Sequence, residues 1–276
     1  MHPVGGGCIA HAQRLETARG PFFLKSGKGL GFEAEAAGLR ALREAAEGTG
    51  LCVPEVLHVS DEEGILLLEW IDEGPATPAY WEGFGHALAA LHRASAEDPG
   101  NTRPRYGFDG DNRIGRLPQR NDWRDDWAVF FRDLRLGPQL ERARAGGHWS
   151  PRLERLSQAL LDRLHTLLPS GPPASPLHGD LWSGNQLSGA NGRAWLIDPA
   201  AYYGDREADL AMTELFGAFP SRFYAAYREA WPQEPGYDER RDLYNLYHLL
   251  NHLNHFGGSY ASSVASSLER LERAGM

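Results

Sequence analysis

His178-Gly179-Asp180-Leu181-Trp182-Ser183-Gly184-Asn185, with Trp195-Leu196-Ile197-Asp198-Pro199 a short turn later, is the stretch from which this 276-residue chain is read. It supplies two carboxylates and an amide at a fixed spacing. In enzymes that move the γ-phosphoryl of ATP, a loop Asp accepts the proton of the acceptor hydroxyl. An Asn five residues on holds one Mg²⁺, and an Asp beyond the next strand holds the other. Asp180, Asn185 and Asp198 fit those roles in that order. Between them, Ser188-Gly189-Ala190-Asn191-Gly192 is a hairpin signal, and the apolar run after it predicts a strand ending at Asp198, so that a hairpin gathers the three side chains. Asp and Asn beside glycines are commonly turn residues that bond their own backbone. The full run outweighs that reading only if a lysine, its acid partner and a phosphate-covering loop lie upstream.

All three occur. Val4-Gly5-Gly6-Gly7-Cys8-Ile9 is glycine-rich, which lets backbone amides approach phosphates, although it matches no strict phosphate-loop pattern. Gly5, Gly6, Gly7 and Cys8 are therefore candidate nucleotide contacts. Pro21-Phe22-Phe23-Leu24-Lys25 predicts a short strand ending in lysine. Phe32 onward, with Leu39, Leu42 and Ala46 at helical spacing, predicts an amphipathic helix with Glu33 and Glu35 in its first turns. Lys25 with Glu35 is the candidate pair that positions phosphates, and Glu33 stays open as the alternative acid. Gly64 to Ile71 predicts an apolar strand running into Asp72-Glu73-Gly74-Pro75, a break suited to a hinge. The backbone of Glu69, Trp70 and Ile71 would there meet the adenine.

On these residues the chain resembles the fructosamine-3-kinase (ketosamine-3-kinase) family, a branch of the protein-kinase-like superfamily near the aminoglycoside phosphotransferases. Besides the H-G-D-L-W-S-G-N and I-D-P-A runs, the likeness includes Tyr202-Tyr203-Gly204-Asp205-Arg206-Glu207-Ala208-Asp209-Leu210-Ala211-Met212. It also includes the block Ile114-Gly115, Gln119, Asn121, Trp123, Trp127, Phe130, Phe131, Arg135 and Leu136, and the run Tyr247 to Gly257. The resemblance implies an α+β fold of two lobes: a small antiparallel-sheet lobe over residues 1–71 that binds ATP, and a mostly helical catalytic and substrate lobe over 72–276. It implies ATP and Mg²⁺, and phosphorylation of O3 of a fructosamine or ribulosamine, free or protein-bound. It also places a redox-sensitive cysteine at Cys8, against which stands an unreactive thiol facing the sheet. One departure is that the family carries a first strand ahead of the glycine loop. Here Gly5 comes almost at once, so that strand is either very short or missing.

Composition narrows the alternatives. The net charge of −9 argues against nucleic acid as a partner, since affinity there comes from Lys and Arg neutralising phosphates. No apolar run approaches a membrane span, and the amino terminus lacks the basic start and apolar core of a signal peptide, so a cytoplasmic location is expected, and a monomer or weak homodimer. Cys8 and Cys52 are too few for a disulfide framework. His248, His252 and His255 fall on one face of a predicted helix, where a metal triad competes with plain packing and hydrogen bonding. His252, His255 and Trp182 are the candidate substrate contacts, with core packing an equal reading for the tryptophan. Tyr80 to Leu91 and Leu153 to Leu167 carry helical stripes read as core. Asp98 to Gln119 reads as a long loop over the cleft or a partly mobile segment. The amides of the Gln119–Leu136 block and of the His248–Phe256 helix are read as partners for sugar hydroxyls. A kinase of an aminoglycoside or choline-like compound, and a nucleotide-binding pseudokinase, are the competing functions.

Overall fold

The computed structural model describes the backbone of residues 2–3 and all of 10–94 and 105–274. Strands β1 (His2–Pro3), β2 (His11–Thr17), β3 (Gly20–Ser26), β4 (Val56–Ser60) and β5 (Ile65–Glu69) form an antiparallel sheet in the order β1-β2-β3-β5-β4. The first strand is two residues long and pairs with Gln13 and Arg14. Helix α1 (Phe32–Ala45) lies against β4 and β5 because Phe32, Ala36, Leu39 and Leu42 recur at helical spacing and are all buried. Truncating one such leucine to alanine costs about 2–5 kcal/mol.

The remainder is helical, with short hairpins. It runs α2 (Pro78–Arg93), β6 (Asn112–Ile114), β7 (Leu117–Gln119), α3 (Trp127–Phe131), α4 (Gly137–Ala145), α5 (Pro151–Asp162) and α6 (Leu164–Leu167). There follow β8 (Ala174–Leu177), β9 (Gln186–Ser188), β10 (Ala194–Leu196), β11 (Tyr202–Asp205), α7 (Glu207–Leu215), α8 (Ser221–Ala230), α9 (Tyr237–Phe256) and α10 (Ala261–Ala274). Thr77 caps α2 by accepting from the Tyr80 amide, with Pro78 in the first turn, where its missing N–H costs nothing. Gly85 lets α2 and α8 touch, because a Cβ there would lie 2.3 Å from the Phe223 carbonyl oxygen. No helix among the described residues is long and apolar enough to cross a membrane.

Two sequence expectations change in detail, and the packing adds a third point. The leucine stripe from Leu153 to Leu167 is interrupted: α5 stops at Asp162, and Arg163 turns away to give its guanidinium to the Leu271 carbonyl. The part of Asp98 to Gln119 that is described contains the hairpin β6–β7 rather than a bare loop. The apolar core also does not divide at residue 71. Leu39 and Leu68 share one cluster with Phe84 of α2, Phe223 of α8 and Leu196 of β10. The backbone stitches the same seam, with Cys52 N–H to Ala194 O at 2.8 Å and Leu196 N–H to Cys52 O at 2.9 Å.

Candidate active site

Strand β8 delivers His178 to the centre of the molecule. The chain then turns sharply at Gly179, whose φ is 81° and where a Cβ would lie 2.2 Å from the Ala200 carbonyl oxygen, so only glycine fits. The turn exposes the amides of His178 and Gly179, and both donate to Asp209, at 2.7 and 2.8 Å. Asp209 sits in the first turn of α7 and is 1% exposed. Burial works against its charge, but His92 at 3.4 Å and these amides hold its carboxyl below the usual range. Nothing in the sequence around Asp209 reveals that it anchors a loop 30 residues away.

The His178 ring ties the two halves of the motif together. Its Nε2 donates to the Ile197 carbonyl at 2.8 Å and its Nδ1 accepts from the Asp180 amide at 3.3 Å. Burial lowers its pKa, which suits a neutral ring with one donor and one acceptor. Hairpin β9–β10 forms as the turn signal requires, in antiparallel register from Gln186↔Leu196 to Ser188↔Ala194. Asn185 donates Nδ2 to the Asp180 carbonyl at 2.8 Å and to its carboxylate Oδ2 at 3.2 Å. That leaves Asn185 Oδ1 with no donor among the described residues. Asp198 is the sole described non-glycine residue with positive φ, at 55°. Such strain at a side chain that meets the cleft is a mark of a functional position.

Lys25 reaches this group from β3. Its Nζ bonds Glu35 Oε1 at 2.7 Å and also Asp198 Oδ1, and the residue is 7% exposed. Burial opposes the ammonium, yet the two flanking carboxylates outweigh burial and raise its pKa. Glu33 is exposed, so Glu35 is the acid that pairs with Lys25. Asp180 has the opposite problem. Burial, with the Asp198 carboxylate adding to it and Asn185 opposing, pushes its pKa up to about 7.

These groups line a cavity of about 530 Å³. Its acids are Glu35, Asp180 and Asp198, and its cations are Lys25 and Arg113. The opposite wall is aromatic: His252 stands 4.5 Å from Phe216, 5.1 Å from Tyr260 and 5.6 Å from Phe256, centroid to centroid. Phe256 is 58% exposed and Trp182 is 38% exposed. Trp182 folds over Gly184, where a Cβ would lie 2.3 Å from its ring. Both large surface aromatics therefore face the same cleft. Glu69, Trp70 and Ile71 do not line this cavity. The Glu69 amide is committed to the Glu55 carbonyl at 3.0 Å, and Trp70 lies under Arg14 at 4.6 Å. Gly5, Gly6, Gly7 and Cys8 lie outside the described residues.

Of the α9 histidines, His252 and His255 both line the cavity, but their nitrogens are used differently. His252 donates Nδ1 to the His248 carbonyl at 2.9 Å and presents its ring to the cavity. His255 uses both nitrogens: Nδ1 donates to the Asn251 carbonyl at 2.8 Å and Nε2 accepts from the Arg116 amide at 2.9 Å. It thereby fastens hairpin β6–β7 to α9. His248 is buried apart from them. Among the described residues no three His, Cys, Asp or Glu side chains are grouped to hold a metal. The Asp198 carboxylate and the Asn185 amide oxygen fit Mg²⁺, a hard cation that keeps several waters and takes one or two carboxylates plus substrate phosphates.

The amide block behaves differently from its sequence reading. Gln119 is 2% and Asn121 1% exposed, and neither lines the cavity. Gln119 Nε2 donates to Asn112 Oδ1 at 2.8 Å and to the Ala200 carbonyl at 3.1 Å, while its Oε1 accepts from the Tyr247 hydroxyl. Asn112 donates to the Ala201 carbonyl at 2.8 Å. Asn121 Oδ1 accepts from Arg135 at 2.7 Å, and that guanidinium is packed between the rings of Tyr202 and Phe130 at 4.0 and 4.5 Å. Of the amides expected on sugar hydroxyls, Gln119 instead braces the backbone just after Asp198 and Asn121 holds Arg135, whereas Asn251 lines the cavity.

With this geometry in hand, known proteins are informative. A profile described as fructosamine kinase matches residues 1–274. A probable ketoamine kinase of Synechocystis sp. is 41% identical over 98% of this chain and 89% of its own length. A chloroplastic protein-ribulosamine 3-kinase of Oryza sativa subsp. indica is 39% identical over 96% of this chain and 77% of its own. The crystal structure of a candidate fructosamine-3-kinase from Thermobifida fusca superposes with a TM-score of 0.87 at 38% identity, covering 98% of this chain and 92% of that one. An aminoglycoside phosphotransferase shares the fold, with a TM-score of 0.64 at 16% identity, over 99% of this chain and 94% of that one.

Proposed function

We propose that this chain, which belongs to the fructosamine kinase family, transfers the γ-phosphoryl of ATP to O3 of a ketosamine of fructosamine or ribulosamine type, on a small amine or on a protein lysine. One observation carries the substrate class. Among the described residues, every acid lining the cavity is already part of the reaction centre, and the facing wall is aromatic. A polycationic aminoglycoside needs several carboxylates to pair its desolvated ammonium groups. Among the described residues none remains for it here. A neutral sugar with one amine needs rings against its apolar face, which Trp182 and the row around His252 supply. His255, with both nitrogens engaged, is assigned to holding the hairpin and not to the sugar.

The chemistry is positioning and charge stabilisation. Asp180 accepts the O3 proton; a carboxyl pushed up to about 7 is well matched to that task near neutral pH. An ammonium has three donors; Lys25 spends two on Glu35 and Asp198 and keeps one for the nucleotide phosphates. Asn185 and Asp198 would hold Mg²⁺, which when bound neutralises charge on the phosphates. Gly5 to Cys8 are assigned the cover over them, and the Glu69 carbonyl with the Trp70 and Ile71 backbone the adenine. The division at residue 71 serves this reading as a lobe boundary, the cleft lying between the sheet and the helices.

The test is a panel of fructosamine, ribulosamine and kanamycin-like acceptors with Mg²⁺-ATP. The ketosamines should be phosphorylated, with little or no turnover of the aminoglycosides. A specificity constant higher for an aminoglycoside than for every ketosamine would overturn the substrate assignment, and no ATP turnover with any acceptor would favour a regulatory nucleotide-binding role.

A further inference from the structure

His248 is one turn ahead of His252 on α9, is 4% exposed, and has no hydrogen-bond partner at Nδ1. An unpaired buried polar atom costs ~1–3 kcal/mol and in a well-packed protein calls for a reason. The ring is neutral, because burial, with His252 and Arg135 adding to it, pushes its pKa down to about 3 against the opposing pull of Asp209. It therefore carries a single N–H. Of the charged groups around it, Asp209 is already satisfied by the amides of His178 and Gly179 and by His92. Arg135 is bound to the Arg120 and Leu134 carbonyls and to Asn121. The one left is Asp180, whose Oδ1 lies 3.9 Å from His248 Nδ1.

Asp180 is incomplete on the same side. Asn185 fixes Oδ2, but among the described residues no donor lies within hydrogen-bonding distance of Oδ1. We propose that His248 is a positioning residue for Asp180, its Nδ1–H donating to Oδ1 once the acceptor hydroxyl is docked. The gap must close by roughly 1 Å to reach an ordinary N–H···O length. The helix need not move for this: the His248 carbonyl is held by His252, and the Tyr247 ring packs edge-on against the imidazole at 5.0 Å, leaving side-chain rotation as the adjustment. With Asn185 on one oxygen and His248 on the other, the carboxylate cannot swing about its last torsion while it takes the proton. No bond is made or broken at His248; it only orients the base.

The inference rests on the reading of Asp180 as the base, and a double-mutant cycle separates the two. His248→Leu should lower kcat about 10-fold, with KM for Mg²⁺-ATP and for the ketosamine within about twofold of wild type. His248→Asn, whose amide nitrogen stands near the place of Nδ1, should recover to within about threefold of wild type, and His248→Gln, which sets its amide one bond farther out, should not. In an Asp180→Asn background, His248→Leu should change the residual rate by less than about twofold, since there is no base left to orient. If His248→Leu costs as much in that background as in wild type, or if the Asn and Gln variants are equally slow, His248 does not act through Asp180. If the leucine variant fails to fold, the Asn-to-Gln comparison decides alone. Wild-type turnover by Asp180→Asn itself would remove the base assignment and this inference with it.

Discussion

Two polar stretches of this chain look equally chemical in sequence and do opposite things. The catalytic run from His178 to Asp198 turns Asp180, Asn185 and Asp198 into the cavity. There it accepts a strained φ, a carboxyl displaced to about 7 and an Asn oxygen without a described donor. The block from Asn112 to Asn121 turns Gln119 and Asn121 inward, and there and at Asn112, on the cavity edge, each amide finds backbone or side-chain partners. Polarity alone does not mark a site. What separates the stretches is whether the hydrogen-bonding capacity is spent, since a satisfied buried network specifies structure and an unspent one awaits a ligand.

The largest expected effect is on the cavity side. Asp180→Asn keeps the shape and removes the proton acceptor, so kcat should fall about 100-fold or more, with ATP affinity little changed in a binding titration. Turnover close to wild type would place the base elsewhere. On the inward side the loss should be of stability. Gln119→Leu strands the Tyr247 hydroxyl and the Ala200 carbonyl, and urea unfolding should show a loss of about 3 kcal/mol, while kcat at 25 °C stays within about fivefold. A variant as stable as wild type but catalytically dead would make Gln119 a substrate contact after all.

A smaller effect follows from the raised carboxyl of Asp180. Below about pH 4 both folded and unfolded chains carry its proton, and it contributes nothing. Between there and about 7 the folded chain holds a proton that the unfolded chain has lost, so stability declines as pH rises. Asp180→Asn removes that penalty. The variant should be more stable than wild type without ligands by ~2 kcal/mol at pH 8, a figure reduced for the partial exposure of the carboxyl, and the gain should vanish near pH 4. A gain of equal size at both pH values would mean that the carboxyl is not displaced. The smallest effect is at the latch between hairpin and helix. His255→Ala releases the Arg116 amide and should cost about 1 kcal/mol without raising the KM for a ketosamine, whereas a large KM change would return His255 to the sugar site.

Much of the site was legible because its chemistry is local or periodic. The catalytic run, the hairpin that folds Asp198 back, the strand bearing Lys25 and the helix bearing Glu35 each follow from residues within a turn or two of one another. The alternative between Glu33 and Glu35 was not legible, since both lie in the first turns of α1 and only docking on the sheet selects the inward one. The amide block was misread for a related reason. Gln119 is completed by Tyr247, 128 positions away, and by the backbone at Ala200, and no local pattern announces either. Asp209 and His248 are the same case on the catalytic side: each acts on a loop that reaches it only through the tertiary fold. The apolar cluster that crosses residue 71 could not be seen either, because the break at Asp72 to Pro75 is a change in composition and says nothing of what packs across it.

The most direct test of the account is the position of the phosphate. Wild type and Asp180→Asn would be incubated with Mg²⁺-ATP and a fructosyl-lysine derivative, and the product read by phosphorus-to-proton coupling in NMR. Phosphate coupled to the proton on C3 is expected with the wild type, and no detectable product from the variant in the same interval. Phosphate on another oxygen, or O3-phosphate formed at an undiminished rate by Asp180→Asn, would contradict it.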